Sequence, residues 1–177
     1  MPVRMLILSG PSGSGKSTWC AELARQARGR GIQPRGVLSP GRFEAGRKVG
    51  IDIVDLASGE QRPLASPRTS ASDGVLTDDW CFDAGSLDWG NQLLRRIEGA
   101  RLVILDELGP LELTRGQGLL EGLKLLDRRE CDMAVAVIRP KHLSLARTLW
   151  PEAAVIDVAS ETVSPETVLG ELGDPHP

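Results

Sequence analysis

The stretch GPSGSGKST, residues 10–18, constrains this chain more than any other feature. Gly10, Gly15, Lys16 and Ser17 satisfy the spacing G-x-x-x-x-G-K-[ST]. The stretch lies between an apolar run at 5–8 that predicts a strand and a segment at 16–30 that predicts a helix. A strand, a glycine-rich loop and a helix in that order form a phosphate-binding loop. The glycines let the backbone curl until successive N–H groups of Gly10, Pro11, Ser12, Gly13, Ser14, Gly15 and their neighbours through Thr18 enclose a nest, proline contributing backbone shape but no donor. The helix N-terminus adds its partial positive charge to that nest. Lys16 is then expected to neutralise charge on the β- and γ-phosphates of a nucleotide, and the Ser17 hydroxyl to be a ligand for Mg²⁺.

Such a loop needs a carboxylate at the tip of a neighbouring strand. The stretch RLVILDELGPLEL, residues 101–113, supplies a candidate, because the apolar run 102–105 ends on Asp106 and Glu107. Taken alone, two acids closing a strand are an ordinary polar turn. Beside a phosphate-binding loop, Asp106 becomes the second Mg²⁺ ligand. Glu107 becomes the residue that faces the γ-phosphate and orients or deprotonates water. Arg139 ends the apolar run 133–138 and is a candidate for stabilising transition-state charge, unless it is simply an exposed arginine before a proline. The sequence leaves Glu112 open between a support for the metal site and a solvated loop residue.

The rest of the chain alternates strand-like and helix-like segments, which predicts an α/β fold of three layers around a mostly parallel sheet. Strands are expected at 36–39, 48–56, 102–105, 133–138 and 155–158, with PGRFEAG as the turn joining the first two. Helices are expected at 87–97, 117–129, 142–149 and after Ser164-Pro165, a cap followed by proline. Residues 57–74 are rich in Ser, Pro and Gly and read as an exposed loop, and 173–177 as a frayed tail. With 177 residues the chain suits one domain spanning 1–177.

Three stretches in order, GPSGSGKST, GVLSPGRFEAGRKVGIDIVDL and VILDELGPLEL, resemble a small nucleoside-triphosphatase family described from hyperthermophiles that has a human cancer-related member. The matches beyond the phosphate loop are Gly36, Gly46, Arg47, Gly50 and Asp52, then Asp106, Glu107, Gly109, Glu112 and Leu113. The resemblance implies a P-loop NTPase fold of the RecA-like branch that uses a catalytic glutamate. It also leaves Arg47 as a candidate catalytic arginine, beside the roles expected from the motifs themselves for Lys16, Glu107 and Arg139 and for Mg²⁺ as cofactor. The chain departs from the family's T-x-E-x-R stretch, where it has Ser39, Gly41 and Phe43 with Arg42 displaced by one. It also lacks tyrosine, leaving Trp80 or Phe82 to replace a Tyr often seen before the helix near residue 85.

These readings together give a Mg²⁺-dependent nucleoside-triphosphatase that converts NTP to NDP and phosphate with low base selectivity. A guanine-selective enzyme is expected to carry N-K-x-D, but the only asparagine, Asn91, precedes Gln92. The alternatives are a P-loop kinase for a small molecule or nucleotide, and a nucleotide-gated binding module. A net charge of −3 argues against nucleic acid as a partner, no apolar run is long enough to span a bilayer, and no protein partner is legible. Cys20, Cys81 and Cys131 are too few and too far apart for a disulfide framework or a zinc site, which suits a cytoplasmic protein.

Overall fold

Alternate residues of the central strands face opposite sides, and both sides are apolar. In strand β8 (Ala100–Leu108), Leu102 and Ile104 join the apolar cluster on one face while Val103 and Leu105 join that on the other. Strand β9 (Cys131–Ile138) divides in the same way, with Met133, Val135 and Val137 opposed to Ala134, Ala136 and Ile138. A strand buried on both faces must be covered by helices on both. Helices α1 (Lys16–Gly29) and α6 (Pro165–Leu172) cover one face, through residues such as Leu23, Ala27 and Leu169. Helices α2 (Ala84–Arg95), α4 (Leu120–Arg128) and α5 (Leu143–Leu149) cover the other, through Leu94, Leu125 and Ala146. The expected three layers are therefore present in this computed structural model, which describes residues 4–160 and 163–173.

The sheet is mixed and has ten strands in the order β10-β1-β9-β8-β2-β4-β5-β7-β6, with β3 paired to β4. Strands β1 (Arg4–Ser9), β2 (Pro34–Leu38), β8, β9 and β10 (Ala154–Asp157) form its parallel part. Their carboxyl ends all lie along one edge, the edge where open α/β sheets bind ligands. Strand β9 separates β8 from β1, so the tip of β9 lies between those of the other two.

An antiparallel wing of β3 (Gly41–Glu44), β4 (Arg47–Asp55), β5 (Gln61–Pro67), β6 (Val75–Leu76) and β7 (Trp80–Phe82) extends the parallel part. Here the structure corrects the sequence reading. The supposed turn PGRFEAG contains a strand, and the supposed loop 57–74 contains β5, whose Leu64 and Ala65 are buried. The turn between β4 and β5 closes on Asp55, whose carboxylate accepts from the Ala57 and Ser58 N–H groups and the Ser58 hydroxyl. The helix expected at 117–129 begins only at Leu120, after the separate short helix α3 (Pro110–Arg115). Most of the expected frayed tail, 174–177, lies outside the described residues.

Gly36 sets how closely β2 approaches β8. Its φ is +108°, and a Cβ at this position would lie 2.0 Å from the carbonyl oxygen of Ile104. Backbone strain and overpacking then act together, so Gly36→Ala is expected to cost about 2 to 4 kcal/mol. Urea denaturation checks this, and a loss below about 0.5 kcal/mol, the scatter of neutral surface changes, would contradict the close approach.

Candidate active site

The phosphate-binding loop leaves β1 at Ser9 and enters α1 at Lys16. Gly15 caps the helix with φ 91° and ψ 14°, a left-handed conformation that glycine adopts without a steric penalty. The Lys16 ammonium donates to the carbonyls of Gly10 at 2.7 Å and Pro11 at 2.6 Å, holding its charge over the loop. Burial lowers the Lys16 pKa and Arg139 adds to that shift, against the opposing pull of Glu107, Asp106 and Asp157. Charged residues from the tips of three strands, β8, β9 and β10, thus act on one ammonium group.

Strand β8 does not end at Leu105. It continues through Leu108, and the register with β9 shifts between Leu105, opposite Ala136, and Leu108, opposite Ile138. Asp106 and Glu107 occupy a bulge, and Glu107 has φ +71°, a left-handed conformation unusual for a residue with a Cβ. Adjacent side chains in a regular strand point to opposite faces, so two consecutive carboxylates could not serve one site. The bulge removes that restriction.

The two acids then meet different surroundings. Asp106 is 2% exposed. Its Oδ2 accepts the Ser39 N–H at 3.0 Å, and its carbonyl accepts the Ser39 hydroxyl at 3.0 Å. Burial raises the Asp106 pKa and Glu107 raises it further, while the Ser39 N–H, the nearby Ser17 hydroxyl and Lys16 hold it down. Its Oδ1 is buried without a hydrogen-bond partner of ordinary geometry. Glu107 is more exposed and forms an ion pair with the Arg139 guanidinium.

Ser39 is the contact that sequence reasoning missed. In the sequence it stood only in place of a Thr, yet its backbone N–H and hydroxyl, just past the end of β2, fix Asp106. Asp157, at the tip of β10, was also missed; it carries no motif, and only the parallel sheet brings it near Lys16. Glu112 is neither solvated nor a free acid. It is buried, with one oxygen accepting the Gly109 N–H at 2.9 Å and the other the Leu119 N–H at 2.8 Å, so it clamps the segment that follows Glu107.

Arg42 pairs with Asp52 at 2.9 Å inside the β3–β4 hairpin. Arg47 is exposed at the start of β4, and among the described residues no hydrogen bond or ion pair joins it to the phosphate loop, Asp106 or Glu107. The three cysteines are buried and unpaired.

On the far side of Glu107 and Arg139 lies a cavity of about 130 Å³ between the antiparallel wing and the segment following β8. Its walls come from strands and loops remote in sequence, so no motif announced it.

A model of the NTPase family matches residues 5–162, nearly all of the sheet and both acidic residues. The chain belongs to the NTPase family. Curated relatives include the nucleoside-triphosphatase THEP1 of Caldivirga maquilingensis, 32% identical over 63% of this chain and 62% of that protein. The protein of the same name from Thermofilum pendens is 30% identical over 72% and 70%. The chain spans about three-fifths of the length of the first of these relatives. A human cancer-related nucleoside triphosphatase shares the fold with a TM-score of 0.72 at 18% identity, over 98% of this chain and all of that one. THEP1 from Aquifex aeolicus does so with a TM-score of 0.64 at 20% identity, over 96% and 99%. At those identities the likeness speaks for the NTPase fold.

The raised pKa of Asp106 has a consequence for stability. Between the ordinary aspartate pKa of about 4 and the raised folded value, the folded chain binds more protons than the unfolded one, so stability falls as pH rises through that interval. Asp106→Asn removes the buried charge and keeps an acceptor for the Ser39 N–H. It is expected to raise the melting temperature at neutral pH, with the gain shrinking as pH falls towards about 4. A lower melting temperature at neutral pH would contradict this account of Asp106.

Proposed function

We propose that the chain is a Mg²⁺-dependent nucleoside-triphosphatase that hydrolyses NTP to NDP and phosphate. The observation that carries the reading is the bulge at the tip of β8, which sets Asp106 and Glu107 together beside Lys16. The backbone N–H groups of residues 10–18 bind the phosphates, and Lys16 exchanges its carbonyl contacts for β- and γ-phosphate oxygens.

The Mg²⁺ site passes a simple test of fit. Asp106 Oδ1 is a buried oxygen lacking a partner, and the Ser17 hydroxyl is close to the same carboxyl. No group of three or more His, Cys, Asp or Glu is placed to hold a metal ion by itself among the described residues. None is needed, because Mg²⁺ takes one or two protein oxygens, substrate phosphates and waters. When bound, the ion neutralises charge that develops on the phosphates.

Glu107 accepts a proton from water attacking the γ-phosphorus in line with the bond to the β-phosphate. Its pair with Arg139 is partly exposed, with 33% of the Arg139 and 28% of the Glu107 side chain open to solvent, so the guanidinium can exchange partners without leaving a sealed core. A γ-phosphate carrying more charge than one carboxylate can therefore draw Arg139 away. Substrate arrival frees the base and supplies the γ-phosphate with a cation in one rearrangement. Arg47 has no such contact, and a catalytic role for it requires movement of the β3–β4 hairpin or delivery from a second molecule.

Glu107→Gln keeps the shape of the base but cannot take the proton. Its kcat is expected to fall by about 10²- to 10⁴-fold, with triphosphate affinity nearly unchanged. Unaltered phosphate release with NTP and Mg²⁺ would remove Glu107 from the reaction. Phosphate-contacting groups do not touch the base, so kcat/KM for ATP, GTP, CTP and UTP should agree within about a hundredfold. A larger preference for one of them would show that a base-reading contact exists.

A further inference from the structure

The cavity beyond Glu107 is larger and more apolar than hydrolysis requires. A water molecule occupies about 30 Å³ of liquid volume, whereas a cavity of roughly 150 Å³ accommodates benzene. At about 130 Å³ this one has room for no more than a single ring, so a substituent on that ring must extend out of it towards the polar end. Ile51 and Leu64 from the antiparallel wing, Leu87 from α2 and Leu119 before α4 give it apolar walls. Trp80 and Phe82 add aromatic surface, and the Lys48 ammonium lies 5.0 Å from the centre of the Trp80 ring. The Glu112 clamp on Gly109 and Leu119 fixes the opposite wall.

The polar end of the cavity is the catalytic end. Ser39, Glu107 and Arg139 line it, and Glu107 and Arg139 also act on Lys16 of the phosphate loop. The same two side chains therefore border both the cavity and the surroundings of Lys16. Of the remaining charged groups in the lining, Asp78 and Asp79 are matched in number by Arg115 and Lys141, while the Glu112 carboxylate is occupied by the Gly109 and Leu119 N–H groups. Balanced charge and single-ring volume disfavour a nucleotide acceptor, which is larger and carries phosphate. They favour a neutral ring.

We propose that this cavity is an acceptor subsite for a neutral single-ring molecule bearing a primary hydroxyl, to which the centre transfers the γ-phosphoryl group. The inference rests on the reading of Glu107 as the base of a triphosphate-cleaving site. The hydroxyl oxygen bonds to the γ-phosphorus as the bond from that phosphorus to the β,γ-bridging oxygen breaks. Glu107 takes the hydroxyl proton and releases it to solvent, leaving a phosphate monoester and NDP. Water serves as the acceptor when the cavity holds no alcohol, so hydrolysis and transfer share one centre.

The test uses the full chain with ATP, Mg²⁺ and millimolar benzyl alcohol, 3-pyridylmethanol or cyclohexylmethanol. ADP and inorganic phosphate are measured in parallel, and phosphorus NMR reads any ester. The expected result is less phosphate than ADP with at least one alcohol, the difference appearing as its monoester. Trp80→Ala should then raise the alcohol concentration for half-maximal transfer by about tenfold or more. Leu87→Phe, which narrows the cavity, gives a second variant should the first fold poorly, and melting curves of both verify folding. Equal ADP and phosphate with all three alcohols would overturn the proposal while leaving the hydrolase reading intact. Transfer unaffected by either folded variant would overturn the placement of the acceptor in this cavity. Absence of ADP without any alcohol would overturn the hydrolase reading and this one with it.

Discussion

The site depends on a carboxylate held where a charge is costly. Asp106 is buried at the edge of the parallel sheet, and its position is fixed by hydrogen bonds from the Ser39 N–H and hydroxyl at the end of β2. Those bonds exist because β2 lies directly beside β8, an approach that only glycine permits at residue 36. Burial raises the carboxyl pKa, and one of its oxygens has no protein partner of ordinary geometry. A core selected for stability alone would not keep this group. Its cost becomes intelligible if a cation and phosphate complete its coordination, which is the proposed role.

The bulge after Leu105 follows from the same requirement. With Asp106 directed towards the phosphate loop, a regular strand would turn Glu107 to the opposite face. The left-handed conformation of Glu107 instead brings it alongside Lys16 and Arg139, and Leu108 returns to the ladder opposite Ile138. Strain of this kind persists where the surroundings fix it, and Glu112 supplies part of that surrounding by holding the next segment. Glu107 then faces two compartments. One contains the phosphate loop, and the other is the ring-sized cavity.

Much of this was legible in the sequence. GPSGSGKST, the apolar runs of β8 and β9 and the adjacent acids of residues 106 and 107 carried the parallel part of the fold and pointed to the candidate site, because each is a local pattern with a local cause. The features that were not legible depend on distant partners. The bulge is set by pairing with β9, and Ser39 and Asp157 reach the site only through the order of the sheet. Strand β5 was hidden by its Ser and Pro content, since only Leu64 and Ala65 are buried and tertiary pairing decides the rest. Residues 117–119 read as part of a leucine-rich helix because the buried carboxylate of Glu112, which holds Leu119 out of the helix, cannot be inferred from periodicity.

The central claim is that the two adjacent acids divide the work, Asp106 with the cation and Glu107 with the attacking oxygen. Calorimetric titration of a non-hydrolysable triphosphate, with and without Mg²⁺, separates the roles when it is applied to Asp106→Asn and Glu107→Gln in parallel. The account predicts that Asp106→Asn loses most of the affinity that Mg²⁺ adds, while Glu107→Gln retains it. Equal retention of the Mg²⁺ effect in both variants, or its loss only in Glu107→Gln, would contradict the division.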